Sequence, residues 1–262
     1  MYAQFEPELL VEDRGNGIRL VVLNRPDAFN ASNERLHDAL IEVWSPLGAD
    51  PEARAVVLTG AGHAFSAGGD MHHLAACRTD VHMRRKEIEN ARRLVLAMVD
   101  FPLPIVAAVN GPAVGLGCSL AALSDIVLIA EGTYMADPHV SAGLTAADGG
   151  APAWPLLMSL LRAKEYLLTG DRIPAAEAVA IGLANRTVPG ADLLPEALAL
   201  AGRLAAQPAH AVRTTKKALN MHLSRAMTGV LEYALAEEFA SFDTDDHERI
   251  VRRFLTKSGS AG

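Results

Sequence analysis

The chain has 262 residues, 50% apolar and 21% charged, which suits one large domain with a full core and excludes a disordered segment. Its formal net charge of −7 argues against nucleic-acid binding, which calls for a basic face, so an anionic ligand would need a local cationic site. The two cysteines, Cys77 and Cys118, form no CxxC pair, Met1 to Pro7 lacks the marks of a signal peptide, and no apolar run reaches membrane-spanning length. These features predict a soluble cytoplasmic protein with reduced thiols and no membrane partner.

In chain order, Ile18 to Leu23 reads as a strand broken by Asn24-Arg25-Pro26-Asp27. Ser32 or Asn33 then caps a helix with Leu36, Leu40, Ile41 and Trp44 at helical spacing. Ala55 to Thr59 is an apolar strand of the kind buried on both faces. The polar stretch carrying His63, His72, His73, Cys77 and His82 reads as a solvated loop. No acidic residue is spaced to complete a metal site there, and no metal is expected. From Met83 to Val99 a helix is predicted, with Arg84-Arg85-Lys86 and Arg92-Arg93 on its wet face and Ile88, Leu94, Val95 and Met98 inward. Ile105 to Val109 and Ile126 to Ala130 are further buried strands, flanking a short helix over 116–123. A loop-rich region over 134–150 precedes a helix at Pro152, and the rest is mostly helical. The expected division is an α/β core over residues 1–190 and a helical C-terminal region over 191–262.

Two glycine-rich turns stand out, 60–70 (GAGHAFSAGGD) and 110–119 (NGPAVGLGCS), each after an apolar strand and each opening into a helix. Such turns leave backbone N–H groups free to face negative charge, and two of them together can hold a carbonyl oxygen that becomes an oxyanion. The first turn is not a dinucleotide fingerprint, since Phe65 stands where the third glycine is needed.

Leu23-Asn24-Arg25-Pro26 with Asn30-Ala31, Phe65-Ser66-Ala67-Gly68-Gly69-Asp70 and 107–118 (AAVNGPAVGLGC) together resemble the enoyl-CoA hydratase/isomerase (crotonase) family. Leu120-Ala121 with Ser124-Asp125-Ile126, and 168–183 (LTGDRIPAAEAVAIGL), extend the resemblance over nearly the whole chain. It implies a spiral of ββα units with a helical trimerisation region, assembled as a homotrimer or homohexamer. It further implies an acyl-CoA thioester substrate and no tightly bound cofactor, coenzyme A entering as part of the substrate. By the same resemblance the oxyanion-hole N–H groups fall on Gly69 and Leu116. CoA contacts fall on Arg25, Ala67, Gly69, Asp70 and Met71, and Phe254 and Lys257 resemble the pair that reaches a neighbouring subunit's CoA.

Hydratases of that family handle water with two glutamates, and Ser119 and His139 stand at those positions. Hydration needs a paired acid and base, and a serine hydroxyl supplies neither near neutral pH. Isomerase, hydrolase or C–C lyase chemistry through His139 or Asp148 is the reading that results. The alternative is a non-catalytic acyl-CoA-binding or structural member of the family. Met71, Leu74, Met135 and Trp154 are candidates for an apolar acyl pocket.

Overall fold

The computed structural model describes residues 2–259, with side chains as far as Thr256. Its main sheet takes strands from both ends of the core. A short edge strand, β1 (Leu9–Asp13), pairs antiparallel with β2 (Ile18–Leu23). Beyond it β3 (Ala55–Gly60), β4 (Ile105–Val109), β6 (Ile126–Ala130) and β9 (Arg186–Val188) continue the sheet in parallel, in the order β1-β2-β3-β4-β6-β9. A second, three-stranded sheet holds β5 (Ala113–Val114), β7 (Tyr134–Ala136) and β8 (Ile173–Pro174).

β3 and β4 are buried along their whole length, as their unbroken apolar sequences require. Alternate residues serve two cores. Val57, Val106, Ala108 and Leu128 face Leu193, Ala197 and Ala201 of the helix α9 (Leu193–Ala205). Val56, Leu58, Ala107, Val109 and Ile129 face the larger core on the other side. Each fully buried branched side chain there stabilises the fold by about 1.5–3 kcal/mol.

That larger core is closed by α1 (Glu34–Glu42), α2 (Trp44–Ala49), α4 (Val81–Asp100), α5 (Leu116–Ala122) and α6 (Gly150–Leu157). Asn33 caps α1 by accepting from the Leu36 N–H at 2.9 Å. The remaining helices are α7 (Leu160–Thr169), α8 (Ala175–Ile181), α10 (Ala209–Met227), α11 (Val230–Ser241) and α12 (Asp245–Gly259).

The histidine-rich stretch is helical, contrary to the loop expected. Asp70 accepts from the N–H groups of His72 and His73 and so starts a further helix, α3 (Met71–Thr79). Asp80 repeats the device at the head of α4. Arg84 is not on a wet face either. It is buried, clamps Asp243 with two bonds of 2.7 and 2.9 Å, and donates to the carbonyls of Cys77 and Arg78. A guanidinium has donors enough to join three chain segments at once. Among the described residues no helix is long and apolar enough to cross a membrane.

Candidate active site

The family-like motifs of the two glycine turns have mechanical work first. Asn30, with left-handed φ 56°, accepts from the Arg25 N–H at 2.9 Å and donates to Ala61 O and Ala64 O, both at 2.8 Å. Asn110 accepts from the Gly60 N–H at 3.1 Å. Ser66 donates through its hydroxyl to Asn30 O and exchanges backbone bonds with the second turn, accepting from Val114 N at 2.9 Å. Two glycines let the turns meet. A Cβ on Gly68, where φ is +90°, would stand 2.7 Å from Val114 O, and one on Gly117 would stand 2.6 Å from Ser66 O.

This contact brings Gly69 and Leu116 to one cavity, also lined by Ala67, Met71, His139 and Asp148. Neither the Gly69 N–H nor the Leu116 N–H has a hydrogen-bond partner among the described residues. Leu116 is the first residue of α5, where the N–H is free by helix geometry. The two glycine turns thus border one pocket with unused backbone donors.

Asp137, His139 and Asp148 stand together beside them. His139 Nδ1 donates to Asp137 Oδ1, and its Nε2 lies 3.9 Å from Asp148 Oδ1. Ser119 Oγ donates to that same Asp148 oxygen at 2.9 Å. Asp137 is 1% exposed, and it sits where a Cβ on Gly150 would be 2.2 Å from its Oδ2. Burial works against charge on His139, but the charges of Asp137 and Asp148 override it and hold the imidazole well above its ordinary pKa. Burial, reinforced by Asp137, pushes the Asp148 carboxyl up, while His139 and the Ser119 hydroxyl oppose that rise. Both shifts favour a protonated imidazole beside a carboxyl group of raised basicity.

The other residues picked from sequence are spread more widely. Ser119 acts on the pocket through Asp148 and does not line it. Arg25 lies outside the cavity lining; its guanidinium donates to Ala31 O and stands 3.5 Å from Asp70 Oδ2. Phe254 packs edge-on against His72, with ring centroids 5.6 Å apart. The side chain of Lys257 lies outside the described residues. Met71 and Leu74 line the cavity, whereas Met135 and Trp154 are core residues with no exposure and are not among its lining.

Three lining residues escaped the sequence reading. Glu238 of α11 is buried, and burial first, then the charges of Asp148, Glu87 and Asp137, pushes its carboxyl up to about 8. His37 of α1 reaches Glu87 of α4 through Nδ1, 3.1 Å from Oε1 and 3.2 Å from Oε2. His73 Nε2 meets the same carboxylate at 2.9 Å and Cys77 Sγ at 3.7 Å. The acidic partner judged missing is therefore Glu87, supplied across a helix pair. Donor atoms of His73, Cys77 and Glu87 lie within 4.8 Å of one another, the separations being those of a hydrogen-bonded cluster. The Cys77 sulfur and the Glu87 carboxylate push His73 up to about 10, and its charge with His37 holds Glu87 well below the usual carboxylate range against the cost of burial. The signal for two of the three was a polar residue within an apolar stripe, Glu238 among Leu231, Ala234 and Leu235, and His37 among Leu36, Leu40 and Ile41.

The family model described as enoyl-CoA hydratase/isomerase matches residues 13–260. A solved enoyl-CoA hydratase/isomerase from Mycobacterium paratuberculosis is 52% identical, with TM-score 0.91 over 94% of this chain and 98% of that one. A crotonyl-CoA hydratase of Syntrophomonas wolfei is 32% identical over 258 residues, covering 95% of this chain and 96% of its own. A β-diketone hydrolase from the cyanobacterium Anabaena, solved with (S)-3-oxocyclohexyl acetic acid, is 27% identical with TM-score 0.82, covering 92% of this chain and 96% of that one. The fold is that of the crotonases. The unused N–H groups at the meeting of two glycine turns, and a match along almost the full length, lead to one conclusion: this chain belongs to the enoyl-CoA hydratase/isomerase family.

Proposed function

We propose that this enzyme hydrolyses an acyl-CoA substrate, with the N–H groups of Gly69 and Leu116 on the thioester oxygen and Asp148 and His139 as its base and acid. The observation that carries this reading is the Asp137–His139–Asp148 cluster, in which His139 takes one of the two positions where the family resemblance puts a hydratase's glutamates. The gap of 3.9 Å between His139 Nε2 and Asp148 Oδ1 is too long for a direct bond and suits one bridging water. The likeness to a β-diketone hydrolase supports cleavage of a C–C bond, so the substrate is read as a 3-oxoacyl thioester.

The step balances without a cofactor. Water adds to the 3-oxo carbonyl as Asp148 takes its proton. The bond between Cα and the former carbonyl carbon breaks, and its electron pair becomes the thioester enolate held by Gly69 and Leu116. His139 gives its Nε2 proton to Cα, leaving a carboxylic acid and a shortened acyl thioester. Each backbone donor is worth about 3–4 kcal/mol of barrier in sites of this kind. Arg25, Asp70 and Met71 are assigned to the CoA moiety, with Lys257 and Phe254 reaching a neighbouring subunit of a trimer or hexamer.

The test is a panel of enoyl-, 3-hydroxyacyl- and 3-oxoacyl-CoAs followed by mass spectrometry. Release of a free acid with a shortened acyl-CoA from the 3-oxo compound is the expected result. Hydration of the enoyl compound alone, or no conversion of any, overturns it.

A further inference from the structure

Buried polar atoms almost always find partners, so those that do not ask for an explanation. Among the described residues, three side chains with such an orphaned atom line the same cavity: Ser32 at Oγ, His37 at Nε2 and Glu238 at Oε2. Ser32 lies just before α1, His37 lies on α1 and Glu238 on α11, and each is more than nine-tenths buried, at 5%, 3% and 8% exposure. None belongs to the Asp137–His139–Asp148 cluster. A pocket meant for a plain alkyl chain would carry apolar groups at these places, because each unpaired group costs about 1–3 kcal/mol when no ligand atom meets it.

The three are also held in place. Ser32 is fixed by its backbone, its N–H donating to Gly68 O at 2.7 Å and its carbonyl accepting from the Asp70 N–H at 3.0 Å. The His37 ring is fixed by Glu87, which is itself anchored by His73. With Nδ1 donating to that carboxylate, Nε2 is left as the atom that can meet a ligand. Glu238, pushed up to about 8, is a neutral acid at pH 7 and so can donate a hydrogen bond. An imidazole nitrogen, a carboxyl and a hydroxyl, each able to hydrogen-bond an oxygen-bearing group, therefore border the cavity.

We infer that Ser32, His37 and Glu238 form a second oxygen-binding station, which receives a hydroxyl or carbonyl oxygen of the acyl group itself. This inference rests on the acyl-CoA reading above and narrows it to oxygenated acyl groups, adding polar groups to the apolar lining supplied by Met71 and Leu74. In that reading the station binds the 3-oxo oxygen and presents its carbon to the water at Asp148.

The experiment compares two thioesters that cannot be cleaved at Cα, butanoyl-CoA and 3-hydroxybutanoyl-CoA, by calorimetric titration of the full-length protein. Wild type is expected to bind the hydroxy compound at least ~10-fold more tightly. Glu238→Leu and His37→Phe are expected to bring that ratio close to one, while Glu238→Gln, which keeps a donor of similar shape, retains most of it. Circular dichroism and the butanoyl-CoA titration report whether each variant is folded. If both thioesters bind wild type equally, or if the Leu and Phe variants keep the preference, the station is refuted and the acyl-CoA reading survives. If neither thioester binds, the acyl-CoA reading falls and the station falls with it.

Discussion

His139 Nε2 and Asp148 Oδ1 face each other across 3.9 Å, with Asp137 on the other imidazole nitrogen and the Ser119 hydroxyl on the same Asp148 oxygen. Each member of the pair is thus held by a hydrogen bond, and both line the cavity that Gly69 and Leu116 line. In the proposed mechanism such preorganisation has the acid and the base in place before substrate arrives.

Replacement of either member should act on turnover more than on binding. Asp148→Asn and His139→Ala are expected to lower kcat on a 3-oxoacyl-CoA by about 10²–10⁴-fold, with KM changed by less than ~3-fold. Steady-state kinetics on both variants checks this, and wild-type rates in both would remove these residues from the mechanism.

The pH dependence follows from the two shifts. The proposed mechanism needs Asp148 ionised and His139 protonated. The rate should fall as pH drops through a value above the ordinary aspartate range, because Asp148 is raised by burial and by Asp137. It should fall again as pH rises through a value well above that of free histidine, because the charges of Asp137 and Asp148 outweigh burial at His139. A bell-shaped kcat profile with its acid limb above the ordinary aspartate value and its alkaline limb well above that of free histidine is the expected outcome. An alkaline limb at the ordinary histidine value would contradict it.

Glu238 predicts a stability effect of definite sign. Its folded-state pKa of about 8 lies above the unfolded value of 4.5, so the folded protein holds a proton that the unfolded chain releases. The wild type therefore loses stability as pH rises from 4.5 to 8. Glu238→Gln, which does not titrate, should match wild type near pH 4.5 and exceed it at pH 8 by about 1–3 kcal/mol, or ~5 °C in Tm. Thermal melts at both pH values measure the difference.

The meeting of the two glycine turns can be broken by one methyl group. Gly117→Ala places a Cβ 2.6 Å from Ser66 O, which is backbone and cannot swing aside. A loss of about 1–3 kcal/mol is expected from the overpacking, with a fall in kcat as Leu116 shifts from Gly69. Gly190→Ala, where φ is not left-handed and the added carbon meets nothing within 4 Å, is the control for the methyl group itself.

The apolar strands were legible in the chain because β3 and β4 are continuous buried runs, and the glycine turns announced themselves by composition. Other features were not legible for local reasons. β1 is a five-residue edge strand ending in Glu12 and Asp13, and edge position leaves little hydrophobic signature. The helix α3 is lined inward by few apolar side chains, Leu74 and Cys77, so its histidines read as a loop, although the Asp70 cap was there to be seen. In the site, Gly69, Leu116, His139 and Asp148, all singled out in the sequence, line one cavity. The Glu87 bridge was not, because it joins His37 and His73 across separations of 50 and 14 residues, which only packing brings together.

In the proposed mechanism the grip on the substrate carbonyl is made of main chain, at Gly69 and at the first residue of α5, while the proton-handling groups are all side chains. A point substitution cannot delete an amide N–H short of introducing proline, but it can exchange Ser119, His139 or Asp148 outright. In a scaffold built this way, the means of capturing a thioester is inherited almost automatically, and the reaction performed on it is free to diverge by a handful of codon changes. The name shared across such relatives therefore describes what is held more securely than what is done to it.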